Sequence, residues 1–235
     1  RLIDSATDPA MKAAAQRQMA MSYAFDGDCA TTVRYEEMVI AYWATREQAE
    51  PQNAFFQQGE MANEAARVCI DAGNLDDAER LYRRGAELGL KEPAPRTHAT
   101  SLWDFRLAHA LARISARRGN GEEAGLHVED ARRALDSDPT MAAAQERFYP
   151  YLLGYVALYT GDLDGAEQQL NTVLANPQSQ NDPFIHTLLG MTYEKKGEAA
   201  KARTMYQKAY ELAEAHNPPS AYARRITRGK IGAGR

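Results

Sequence analysis

Five glycines, Gly27, Gly73, Gly119, Gly161 and Gly197, each stand at the centre of the same arrangement of small and large side chains, and this recurrence limits what the chain can fold into. The arrangement is clearest around Gly197, in FIHTLLGMTYEKKGEAAKARTMYQKAYELA from Phe184 to Ala213. Apolar residues at helical spacing run up to Lys196-Gly197-Glu198 and restart after it. The pattern predicts two short amphipathic helices, with Gly197 in the left-handed conformation that ends the first. Gly190, seven residues before Gly197, is small enough to let the second helix approach, and Tyr193, four before, lies on the packing side. Ala202 follows five after, at the crossing, with Tyr206 and Ala209 nine and twelve after as knob and hole. A tight antiparallel helix pair needs this alternation of small and large.

The same positions recur upstream as Gly154, Ala157, Ala166, Leu170 and Val173 around Gly161, and as Ala66, Cys69, Ala78, Tyr82 and Gly85 around Gly73. Around Gly119 they are Ala112, Ser115, Ala124, Val128 and Ala131. Gly27 anchors a degenerate copy: Ala20, Tyr23 and Val39 fit, but Thr32 and Glu36 stand where a small and a bulky residue belong. Terminal repeats are often degenerate in this way, because one side lacks a neighbour.

These residues resemble the tetratricopeptide repeat family, whose unit is a helix-turn-helix. The resemblance implies an all-α, right-handed α-solenoid of antiparallel helix pairs. The expected organisation is a single repeat domain over 1–235, with repeats at about 13–46, 59–92, 105–138, 147–180 and 183–216 and a capping helix at about 219–230. The anchor glycines are 46, 46, 42 and 36 residues apart, so extra residues must lengthen helices or linkers. Pro51 starts a long helix reaching Ala72, and the two prolines of Lys91-Glu-Pro-Ala-Pro-Arg exclude helix there. Pro150 must kink or restart the Ala-rich segment that begins at Pro139. Asn74 and Asn120 are expected to cap the helices that follow them, and Ser220 the last one. Residues 1 to 8 read as a polar, frayed lead-in.

Composition narrows the function. The chain is 44% hydrophobic and 26% charged, and a net charge of −4 gives no general attraction to nucleic acid or acidic membranes. No apolar run of about 18 residues suggests a spanning helix. The chain opens on Arg1 rather than Met, so the natural N-terminus is expected upstream, and the compartment stays open between cytoplasmic and periplasmic or secreted. The five histidines form no metal motif, no nucleophile or phosphate-loop motif occurs, and no catalytic residue, metal or cofactor is implied. The two cysteines, Cys29 and Cys69, are too few for a disulfide framework or a zinc site. On the repeat alignment they lie at helix ends that antiparallel neighbours bring together, which leaves a disulfide and two buried thiols as alternatives.

In the family the first helix of each pair lines a concave groove. By that resemblance the candidate contacts are Arg17, Asn63, Arg67, Arg106, His109 and Arg113 on one half and Phe148, Tyr151, Tyr155 and Tyr159, with Phe184 and Met191 of the fifth pair, on the other. Arginine grips carboxylates, and tyrosine gives large contact area at little entropic cost. The implied function is a scaffold that binds a peptide or partner protein and does no chemistry itself. The alternatives are a regulatory or substrate-recruiting segment of a larger enzyme and a self-assembling structural element, with weak homo-oligomers among the expected partners. Another reading of the same side chains is that the tyrosines pack between helices and the arginines pair with Glu60 and Glu64.

Overall fold

Helix starts in this chain are set by short polar side chains that accept a hydrogen bond from a free first-turn N–H, and by proline in the first turn. The computed structural model describes residues 8–231, so the polar lead-in at 1–7 lies outside the described residues. Asp8 opens α1 (Pro9–Asp26), accepting from the Ala10 amide at 3.0 Å, and Asp28 opens α2 (Cys29–Ala44), accepting from Thr31 at 2.9 Å. α3 (Pro51–Ala72) and α4 (Leu75–Leu90) form the next pair, and α5 (Thr100–Arg117) and α6 (Gly121–Ser137) the third. α7 (Pro139–Gln145) and a 3₁₀ turn at Glu146–Phe148 lead into α8 (Tyr149–Thr160), with Pro150 in its first turn as a restart requires. α9 (Leu163–Ala175), α10 (Pro183–Lys195), α11 (Ala199–Leu212) and α12 (Pro218–Ile231) complete the order, and no strand occurs among the described residues.

All five anchor glycines have positive φ, between 72° and 96°, and they are the positive-φ residues of the described chain. A side chain there would be strained, so glycine fixes where each first helix stops. Two expected caps differ. Asn74 occupies the N-cap of α4 without a side-chain hydrogen bond, and the start of α12 is held by Asn217, which accepts from the Ser220 amide at 3.0 Å, rather than by Ser220. Asn120 does cap α6, accepting from the Glu123 amide at 3.2 Å.

The chain divides into two compact units, Arg1–Leu107 and Ala108–Arg235. In the first, α1, α2, α3 and α4 pack in succession; in the second, α8 to α12 do the same. This is an all-α helical-repeat architecture. The close approaches fall where the small residues are. A Cβ on Gly190 would lie 2.7 Å from the Tyr206 ring, and one on Gly154 2.9 Å from Leu170. Gly190→Ala is therefore expected to lower stability by about 1–3 kcal/mol through overpacking, measurable by urea denaturation. α12 covers the last pair: Tyr222 joins the apolar cluster of Phe184, Leu188 and Tyr206, and Ala223 packs on Ala209 and Ala213.

Within the first unit, a Cys29–Cys69 disulfide ties the start of α2 to the end of α3, with Cα atoms 4.8 Å apart. This decides between the two readings of the cysteines. The degenerate copy is also explained here. Thr32 is fully buried and its hydroxyl donates to the Ala20 carbonyl at 3.2 Å, so a polar residue is accommodated at a small-residue position. Glu36 is fully buried as well, and neither carboxyl oxygen finds a donor among the described residues. The 91–99 connection is ordered by its own polar groups. Glu92, its side chain wholly buried, accepts from the Thr97 and His98 amides, and Arg96 donates to the carbonyls of Gly89, Leu90, Glu92 and His98.

Candidate binding face

Counting back from each anchor glycine puts the candidate residues in rows. His109, Tyr151 and Asn63 stand ten before their glycines, Arg113, Tyr155 and Arg67 six before, and Tyr159 two before. Steps of four keep residues on one face of a helix, so each first helix carries a single stripe.

In the second unit the stripes of α5 and α8 are interlocked. The His109 ring lies 5.1 Å from that of Tyr151. Arg113 donates to the Tyr151 hydroxyl at 3.0 Å and to its own helix's His109 carbonyl at 3.3 Å, with its guanidinium 5.8 Å and 5.9 Å from the Tyr151 and Tyr155 rings. Tyr151 in turn packs edge-on against Phe184 of α10 at 5.7 Å. Arg113 is 5% exposed, Tyr151 7% and Tyr155 1%, so this part of the stripe is packed between helices. Tyr159 is half-buried, 4.7 Å from Tyr155, and Phe148 is 36% exposed with Arg147 over its ring at 4.6 Å. The reachable aromatic surface is at these two residues.

In the first unit Asn63, Arg67 and Arg106 are half-buried. Arg106 pairs with Glu60 and lies over the rings of Phe56 (5.6 Å) and Trp103 (5.1 Å). Burial pushes the Glu60 carboxyl up and the Arg106 guanidinium down despite their pairing. Removal from water thus outweighs part of the attraction. Arg17 grips Glu64 with two nitrogens, at 2.6 Å and 3.2 Å. Burial, then repulsion from Glu64, pushes the neighbouring Glu36 up to about 9, with Arg17 pulling the other way. Among the described residues no group of three or more His, Cys, Asp or Glu is placed to hold a metal ion, and no helix is long and apolar enough to cross a membrane.

Two residues on the same stripe were not among the candidates. Arg117 and Lys195 stand two before Gly119 and Gly197, in the row of Tyr159. Arg117 donates to the Tyr155 hydroxyl at 3.3 Å, and both cations lie over the Tyr159 ring, at 4.9 Å and 5.7 Å. Extending the four-residue step by one from Arg113 would have reached Arg117, and the Tyr159 register points to Lys195.

Successive hairpins, each closed by a left-handed glycine and aligned in one register, define a helical-repeat protein. A tetratricopeptide repeat family model matches residues 185–216, which span α10 and α11, the pair with the clearest pattern. That match and the all-helical chain fit a protein of the tetratricopeptide repeat family. No curated protein matches the chain. In general terms its role is protein–protein interaction.

Proposed function

We propose that the chain holds an extended segment of a partner protein along the first-helix faces of its second unit, with no catalysis of its own. The observation that supports this best is the stripe of the second unit, where arginines and tyrosines interlock into a rigid support and Tyr159 and Phe148 stay accessible beside it. Rigid aromatic side chains lose little entropy when a peptide settles on them. Buried Tyr151 and Tyr155 act by fixing that support, so truncating them would open the core. The informative substitution is Phe148→Ala with Tyr159→Ala. Immobilised wild-type chain is expected to retain a partner from the source cell, and the double variant to lose most of it with its circular dichroism unchanged. Equal capture by the folded variant would reject this face.

The disulfide supports an oxidising setting, periplasmic or extracellular, over the cytoplasm, because thiols are kept reduced there.

A further inference from the structure

Charge is divided unevenly along this chain. From Lys195 to Arg235 ten lysines and arginines stand against three acids, in a molecule whose total is −4, so everything before that stretch is strongly acidic. The basic stretch takes in the end of α10 and all of α11 and α12, and α12 packs on α10 and α11. α12 itself holds Arg224, Arg225, Arg228 and Lys230 and no acid.

Burial decides which of these charges are available. Ser220 to Ala223 and Thr227 are buried, which leaves Arg228 and Lys230 exposed and Arg224 and Arg225 half-buried. Arg224 fastens α12 to its neighbour, donating to the Ala213 carbonyl at 2.9 Å and lying over the Tyr210 ring at 4.1 Å. Lys230 is offset by Glu194 at 2.5 Å. Arg203 of α11 and Arg228 of α12, by contrast, are exposed and form no ion pair among the described residues. Arg203 and Lys230 also border one open cleft of about 330 Å³, lined further by Ala199, Ala200 and Ala202, with room for a small polar headgroup. Charges more than a Debye length away, about 8 Å at physiological salt, are largely screened. A flat surface that touches this end therefore feels the local excess of cations and not the total of −4.

We infer that the α11–α12 end docks on an anionic phospholipid surface, with Arg203 and Arg228 against the lipid phosphates. Neither helix is the first of a pair, so this end is distinct from the peptide-binding face. Two observations favour a bilayer over nucleic acid. The Cys29–Cys69 disulfide belongs to an oxidising compartment, where membranes border the space and nucleic acid is scarce. A long strand laid along the chain would also run onto its acidic remainder, whereas a bilayer meets one end.

The test is co-sedimentation of the full, oxidised chain with vesicles of phosphatidylcholine alone and with vesicles carrying about one-third phosphatidylglycerol. Binding is expected to the anionic vesicles only, and to fall steeply at high salt. Arg203→Gln and Arg228→Gln should each lower partitioning about fivefold, and the two together about twentyfold. Both side chains are exposed, and circular dichroism checks the fold of the variants; the lipid and salt dependence of the wild type reads the docking without them. Phe148→Ala with Tyr159→Ala should bind vesicles as the wild type does, because it alters the other face. No binding to anionic vesicles at low salt, or equal binding by the folded double arginine variant, would overturn the inference. Two further results would overturn it by assigning the patch to another partner: capture of a labelled single-stranded DNA, or dimers in sedimentation velocity, lost in the double arginine variant while vesicles stay unbound.

Discussion

Glu36→Gln is expected to stabilise the protein by up to about 3 kcal/mol at pH 7 and by almost nothing near pH 4.5. Glu36 is fully buried on α2 and faces Arg17 of α1 and Glu64 of α3. Glu64 is already held by both Arg17 nitrogens, so Glu36 as a carboxylate has no donor. Burial, and then the charge of Glu64, disfavour its ionised form, which is why its titration is pushed up to about 9 from an ordinary value of 4.5. The sign follows from proton counting. Between those two values the native state holds a proton that the unfolded chain has released, so stability falls as pH rises, by up to about 1.4 kcal/mol per unit. Below 4.5 both states are protonated and the difference vanishes. Glutamine is neutral at every pH and carries no titration. Urea denaturation of both proteins from pH 4.5 to 9 reads the effect; a difference that does not change with pH would show that Glu36 is ionised in the fold.

Removing the disulfide is expected to cost about 2–4 kcal/mol. The bond joins residues 40 apart in sequence, and the loop it closes restricts the unfolded chain by roughly 4 kcal/mol in the chain-entropy account. It also ties the degenerate first pair, whose packing positions hold Thr32 and Glu36, to the next pair through the end of α3. Cys29→Ala, Cys69→Ala and the double variant should all lose the same amount, and reductant should lower wild type to their level without moving them. Unchanged stability of wild type in reductant would mean that α2 and α3 are held by packing alone.

The hairpins were legible because each position that matters is read locally. A glycine in a turn, a glycine facing a tyrosine and an alanine at a crossing have one packing solution, and Gly190 against Tyr206 is that solution. Distances between hairpins were not legible in the same way. Spacing of four placed Tyr151, Tyr155 and Tyr159 on one face but carried no information on how near α5 and α10 approach. That approach buries the first two and leaves the third half-exposed. Whether Cys29 and Cys69 meet depends on the same unread separation. Glu36 was visible as a misfit at a bulky position, yet its protonation follows from burial between packed helices and from Glu64, contributed by α3.

The hairpin architecture requires glycines that end helices rather than interrupt them, and alanine substitution separates these cases by sign. A Cβ on Gly119, Gly161 or Gly197 meets nothing within 4 Å, so only backbone conformation is tested. In the left-handed conformation each Gly→Ala change should lower stability by about 1 kcal/mol. Inside a helix the same change would raise it by about 1 kcal/mol. Urea denaturation of Gly161→Ala and Gly197→Ala is the most direct measurement: a loss at both supports hairpins in register, and a gain at either contradicts it.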